Sequence, residues 1–442
     1  MTGRVSAEIP HVKVTLDNGL DVIVHEDHHC PIVAVNLWYH VGSKNERPGR
    51  TGFAHLFEHL MFEGSAHHPD GYFRPLQEAG AALNGSTSTD RTNYWEVVPR
   101  GALERALWME SDRMGHLLPA LTQEKLDNQR DVVLNERRQR YENQPYGMVS
   151  LVLDEAHFPP DHPYHWPVIG SVEDLHAADL DHVREFFAAY YHPANASLAV
   201  AGDVGVDEAV DLARAYFGDI PAGDAPAPVV PPAVDPRERA ASLLLTDRVE
   251  LPRLYLTWRS PALYGEDDAE LDLASEILGG GKSSRLYRAL LHDRQWVTDV
   301  SAHQYSQELC GRFGVVATAV PGRALGDLDR VITDELARLA VAGPSDDELL
   351  RARNRLEADF AARRESLGGF GGRSDLLNNY NVMAGRPDFL AEDLARYARA
   401  TRESVAAALG RRLDPAARIA LSVVPAGASD RALDGATPVE AS

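Results

Sequence analysis

The sequence predicts an α+β protein built from two similar halves, and three observations carry that expectation. The chain has 442 residues, which at roughly 100–200 residues per domain asks for two or more domains. A stiff run, Ala225-Pro226-Ala227-Pro228-Val229-Val230-Pro231-Pro232, falls near the midpoint and reads as a linker, because proline brings no donor to a sheet centre. On either side of it, strand-like and helix-like stretches alternate in a similar mix, without a crisp internal repeat. The expected limits are a first domain over residues 1–223, a linker over 224–240, a second domain over 241–425 and a small, polar, disordered tail over 426–442.

The elements follow in chain order. Val12-Lys13-Val14-Thr15-Leu16 and Leu20-Asp21-Val22-Ile23-Val24 flank Asp17-Asn18-Gly19, whose Asn-Gly step suits a hairpin turn. Residues 32–39 form a third apolar run that ends at Gly42 and Ser43. Residues 51–62 are apolar on most sides and predict a buried helix. Residues 84–92 are rich in Ser and Thr, and 94–98 are strand-like. Amphipathic stretches at 103–117 and 123–141 predict helices; a helix at 180–190 and a strand at 197–201 follow. Beyond the linker, strands are expected at 254–258 and 312–320, and helices at 269–278, 283–292, 325–340 and 346–365.

Composition narrows the function. Lys+Arg 44 against Asp+Glu 66 gives a net charge of −22, which argues against nucleic acid or anionic lipid as the main partner. Cys30 and Cys310 are the only cysteines, so a thiolate metal cluster is excluded and any metal must sit on His, Asp and Glu. No stretch reaches the 18 or more apolar residues of a membrane helix. A cytoplasmic location is expected, or a periplasmic one if a signal peptide has been removed.

His55-Leu56-Phe57-Glu58-His59 is the sharpest motif. On a helix His59 lies about 40° from His55, and Glu58 lies about 60° away on the other side, so all three share a face. Two imidazoles at i and i+4 make a zinc half-site, and a carboxylate between them serves as a base. A helix this apolar would bury these groups at a desolvation cost unless they coordinate something. Catalytic zinc needs a third protein ligand.

Gly52-Phe53-Ala54-His55-Leu56-Phe57-Glu58-His59-Leu60-Met61-Phe62 resembles the pitrilysin-type (inverzincin, M16) zinc metallopeptidases. That family is marked by His-x-x-Glu-His and, about 76 residues later, a Glu on a second helix. Here 76 residues separate His59 from Glu136, within Arg130-Asp131-Val132-Val133-Leu134-Asn135-Glu136. Tyr191-His192-Pro193 leading to Ala201-Gly202-Asp203 is also similar. The resemblance implies two homologous α/β domains of the LuxS/mitochondrial-processing-peptidase-like metallohydrolase type. It implies Zn²⁺ held by His55, His59 and Glu136, with Glu58 as general base. Residues 81–87 resemble the family's substrate-binding edge strand, which would place Ala82, Asn84, Ser86 and Thr87 along an extended peptide.

Two departures carry information. The family usually has a Glu seven residues before its third ligand, where this chain has Gln129, a neutral group beside the metal ligands that implies altered metal affinity or pH profile. Gly279-Gly280-Gly281-Lys282-Ser283-Ser284-Arg285-Leu286 resembles the family's glycine-rich loop, and Glu276 stands where a phosphate loop would need Gly. Relatives active without a second kind of subunit carry an Arg and, seven residues on, a Tyr that stabilise the tetrahedral oxyanion. Alignment over 283–294 puts Leu291 and Thr298 there, and neither can do that work. If the alignment slips, Arg288, Arg294 or Tyr305 takes the role. The expectation is a zinc endopeptidase subunit for extended or unfolded peptides, similar to the mitochondrial processing peptidase β subunit and paired with an Arg/Tyr-bearing homologue. The alternative is an inactive structural or binding subunit of a larger complex. The acidity suggests a chamber favouring basic peptides. His25, His28 and His29, His67 and His68, and His162 and His165 read as solvated surface.

Overall fold

The computed structural model describes residues 8–440. Six strands form the first sheet: β1 (Val12–Thr15), β2 (Asp21–Glu26), β3 (Ile32–Tyr39), β4 (Ala82–Thr87), β5 (Thr92–Pro99) and β6 (Ala196–Gly202). Their order is β1-β2-β6-β3-β5-β4, with β2 and β6 parallel and the other pairs antiparallel. The expected hairpin pairs Val12 with Val24 and Thr15 with Asp21, because Gly19 takes the positive φ its turn requires. β3 and β6 are buried on both faces and make the sheet centre, as their near-continuous apolar sequences demand.

Around this sheet stand α1 (Phe53–Leu60), α2 (Phe73–Glu78), α3 (Leu103–Ala120) and α4 (Gln123–Arg137). After α5 (Val149–His157) come α6 (Val172–Ala177), α7 (Leu180–Tyr190) and α8 (Val206–Phe217).

The second sheet holds β7 (Ala241–Asp247), β8 (Arg253–Ser260), β9 (Val297–Tyr305), β10 (Gly311–Ala319), β11 (Ile419–Pro425) and β12 (Thr437–Val439), in the order β12-β7-β11-β8-β10-β9. β7 to β11 repeat the neighbours and directions of β2 to β6, so the halves are one α/β unit used twice. The helices that follow β8 in the chain are α9 (Asp268–Gly279), α10 (Leu325–Ala342), α11 (Asp346–Glu365), α12 (Arg373–Met383), α13 (Leu390–Arg399) and α14 (Arg402–Arg412). No helix among the described residues is long and apolar enough to cross a membrane.

Two details differ from the linear division of the chain. The compact units are interleaved: the first takes residues up to Glu136, Trp166–Val230 and Asp359–Glu392, and the second takes the rest. The apolar faces decide this. Val149, Val152 and Leu153 of α5 pack with Leu245, Tyr255, Leu421 and Val423 of the second sheet. In the first unit α12 lies on β3 and β6, where Asn378 donates to the backbone and side-chain oxygens of Asn36 at 2.8 and 2.9 Å. The tail expected to be disordered is ordered through β12, which adds in parallel to β7 and covers an edge whose backbone groups would otherwise be unpaired.

The glycine-rich loop of the second unit answers to packing. A Cβ at Gly279 would lie 2.1 Å from the Ala302 nitrogen, so the close approach of β9 excludes any side chain there.

Candidate active site

The site is built on α1, and its N-terminus is fixed with care. Gly52 enters the helix at φ +84, and a Cβ there would lie 2.8 Å from the Ile169 carbonyl. The buried Glu46 carboxylate accepts from the Gly52 N–H at 2.9 Å and the Ala54 N–H at 2.8 Å, satisfying donors the helix leaves open. Burial pushes the Glu46 carboxyl well above the usual range, opposed by those N–H groups. Phe53 and Phe57 face α7, where the Phe57 ring stacks on Phe186 and Tyr191 at 5.4 and 5.2 Å. With that face committed to the core, His55, Glu58 and His59 share the other, as the helical spacing requires.

α4 brings Glu136 to them. Its Oε2 lies 3.7 Å from His55 Nε2 and 3.3 Å from His59 Nε2, and one ligand atom from each lies within 4.8 Å of the others. The imidazole centroids are 4.8 Å apart at 79°. A tetrahedral zinc with bonds of about 2.0–2.1 Å separates its ligand atoms by about 3.3 Å, so this donor set fits the ion in number, chemistry and spread. Just after Glu136 the chain winds into a π-type turn, Arg138–Glu142, a distortion frequent at functional sites.

Glu58 sits beside the triad. Its Oε2 accepts from the Thr87 hydroxyl at 2.6 Å. Burial pushes its carboxyl above the ordinary carboxylate range; Thr87, His59 and Arg91 draw it back, and Glu136 pushes it up. Thr87 therefore faces Glu58, whereas Ala82, Asn84 and Ser86 alternate to the other face of β4. β4 is an edge strand, paired among the described residues with β5 alone, so one row of its backbone groups lies outside the ladder. Gly85 packs closely where β4 crosses the core: a Cβ there would lie 3.1 Å from the Phe62 and Tyr94 rings. Arg91 reaches back to Ser86, donating to its carbonyl at 2.9 Å and its hydroxyl at 2.6 Å. Glu46 and Arg91 lie outside any motif, and nothing local in the sequence marks them.

Gln129 lies two helical turns before Glu136 on the same face of α4. Its amide donates to Glu63 Oε1 at 2.5 Å, and Lys125 Nζ donates to the Glu63 carbonyl at 2.9 Å. The amide thus ties the helix that carries Glu136 to the segment that leaves α1. Gln129→Glu replaces this donor with a second carboxylate at a buried position, so it is expected to cost about 1–3 kcal/mol. A urea-denaturation midpoint unchanged from the parent would contradict this reading.

In the second unit, Leu291 is half-buried in the turn Tyr287–His292, and exposed Thr298 spends its hydroxyl on Asp299 at 3.2 Å. Arg294 donates to the Ala289 carbonyl at 2.7 Å.

Residues 21–159 match the family profile described as insulinase (peptidase family M16), and residues 177–356 match the peptidase M16 inactive domain. The chain is 31% identical to the zinc protease PqqE of Helicobacter pylori over 80% of each chain. It is 27% identical to an uncharacterized zinc protease, SCO5738, of Streptomyces coelicolor over 90% of this chain and 87% of that one. A solved protease from Helicobacter pylori superposes with a TM-score of 0.86 at 27% identity, covering 94% of this chain and 100% of that chain. An M16 inactive-domain structure from Pseudomonas fluorescens shares the fold at a TM-score of 0.80 and 20% identity, covering 94% of this chain and 98% of that one.

Proposed function

The chain belongs to peptidase family M16, and from that premise we propose that it is a zinc endopeptidase subunit hydrolysing extended or unfolded peptides. One observation carries the reading: two imidazole nitrogens converge on one Glu136 oxygen at 3.3 and 3.7 Å, on the same helix face as Glu58. His55, His59 and Glu136 would hold the ion. When bound, zinc acidifies water and polarises a scissile carbonyl. Glu58 takes the proton of the attacking water at its carboxylate and delivers it to the leaving amine nitrogen. The Thr87 hydroxyl fixes one Glu58 oxygen and leaves the other for the proton. The open edge of β4 binds substrate by adding a strand, which demands an extended backbone and little of its side chains.

Thr87→Val removes the hydroxyl that orients the base. The expected result is kcat about tenfold lower with KM near the parent value, read from steady-state hydrolysis of a fluorogenic peptide. A proportional rise in KM at constant kcat would instead make Thr87 a substrate contact.

Leu291 and Thr298 bring no donor suited to a tetrahedral oxyanion, so the Arg/Tyr pair is supplied by a homologous partner subunit. The purified chain alone is expected to bind zinc and cleave weakly. Addition of a homologue that carries the Arg/Tyr pair and lacks His-x-x-Glu-His raises the rate. Full activity of the chain alone would refute the division of labour, and zinc binding without cleavage in the pair would favour a structural subunit. The net charge of −22 favours basic peptides, and that preference should fade as salt screens it.

A further inference from the structure

Where α3 nears its end, a second group of side chains repeats the geometry of the first. His67, Asp112 and His116 each offer one ligand atom, and these lie within 4.8 Å of one another. The His67 and His116 rings stand 4.7 Å apart at 79°, against 4.8 Å and 79° for His55 and His59. Asp112 and His116 are an i, i+4 pair on α3, and His67 comes from the loop between α1 and α2. We propose that His67, Asp112 and His116 form a second binding site for a divalent transition-metal ion of the zinc type.

The surroundings are built as such a site needs. The Asp112 side chain is 3% exposed. Its Oδ2 accepts the Ser65 hydroxyl, which fixes the carboxylate and leaves Oδ1 facing His67 Nδ1 at 2.5 Å. An outer hydrogen bond of this kind commonly orients a ligating carboxylate. His116 leaves helical geometry, at φ −135 and ψ 20 inside α3, one turn before Pro119. Its carbonyl accepts from the Ala66 N–H at 3.0 Å, which holds the His67 loop against the distorted turn. The loop is tight: Gly64 takes φ +90, and a Cβ there would lie 2.5 Å from the His68 carbonyl. A His67–Asp112 hydrogen bond alone would account for two of the groups. It does not account for His116, whose ring the i, i+4 spacing on α3 sets beside Asp112 and 4.7 Å from the His67 ring.

Two imidazoles and one carboxylate suit zinc, nickel, cobalt or copper rather than calcium or magnesium, which prefer all-oxygen sets. His67 is 60% exposed, so the ion would keep water on its open side. The same loop runs back to Glu63, which Gln129 and Lys125 hold to α4. A metal here clamps α3 to the segment that leaves α1, a structural role separate from peptide cleavage.

The test is zinc stoichiometry of the metal-stripped full chain, by calorimetric titration and by elemental analysis after dialysis. The parent is expected to bind two equivalents. His67→Ala and His116→Asn, both at exposed positions, should each weaken one equivalent at least tenfold while keeping the other. His59→Ala should keep the equivalent that His67→Ala removes, and the His59→Ala/His67→Ala double variant should bind none. Two undiminished equivalents in both His67→Ala and His116→Asn would overturn the proposal. A parent with a single equivalent that His59→Ala abolishes would overturn it as well, and would leave the active-site reading intact.

Discussion

Glu58→Gln retains the zinc content of the parent and loses peptide hydrolysis by about 10²–10⁴-fold in kcat, the contribution of a positioned general base. The substitution is nearly isosteric. The amide oxygen still accepts from the Thr87 hydroxyl, which reaches Glu58 Oε2 at 2.6 Å, so β4 and α1 keep their contact. His55, His59 and Glu136 are untouched, and the metal has no reason to leave. What disappears is the site that takes a proton from water and returns it to the amine. Atomic absorption on the purified variant and steady-state hydrolysis of one peptide read the two halves of the expectation. Turnover at the parent rate would move the base to another residue.

Arg113→Met destabilises the first unit by about 3–5 kcal/mol, the usual cost of leaving a buried charge without its partner. Arg113 is 1% exposed, and Glu110 and Glu96 beside it are equally buried. Its guanidinium donates to both Glu110 oxygens, with Nε at 3.0 Å from one of them. It lies over the Tyr72 and Tyr94 rings, 4.0 and 4.1 Å from their centroids, where the ring faces attract a cation. Burial pushes the Glu96 carboxyl well above the usual range and the nearby Glu110 adds to it, while the Arg113 guanidinium draws it back. The same Tyr94 ring, with Phe62, forms the floor under Gly85, so the cluster supports the edge strand β4. Arg113→Met/Glu110→Met removes both charges and should regain most of the loss. A denaturation midpoint for Arg113→Met within about 1 kcal/mol of the parent would contradict this account.

The parts legible in the sequence were those written in local patterns. The hairpin at Gly19, the buried strands β3 and β6 and the apolar α1 each follow from period, turn chemistry or uniform hydrophobicity. His55, Glu58 and His59 share a face by helical arithmetic, and the spacing to Glu136 came with the family resemblance. The illegible parts depend on what an element meets. β9 alternates one buried end with mostly exposed positions, so it lacks a strong apolar period and gains its place by pairing with β10. α12 is polar along its docking face, and Asp375 gathers Trp38 and Asn93 of the first sheet at 2.9 and 3.1 Å. No pattern within α12 could announce partners more than 250 residues away in the chain. Thr87 is expected along the edge strand, and its hydroxyl meets Glu58, a partner 29 residues away that no local pattern marks. His67 reads as solvated surface and is 60% exposed; Asp112 and His116, which stand beside it, lie 45 and 49 residues further on, a separation no local pattern spans.

The central claim is that an ion is held by His55, His59 and Glu136. Anomalous diffraction at the zinc edge, from crystals of the zinc-loaded chain, tests it most directly. The account predicts a peak between the two Nε2 atoms and the Glu136 carboxylate, about 2.0–2.2 Å from each ligand atom. A zinc-loaded crystal with no peak at that position would contradict it.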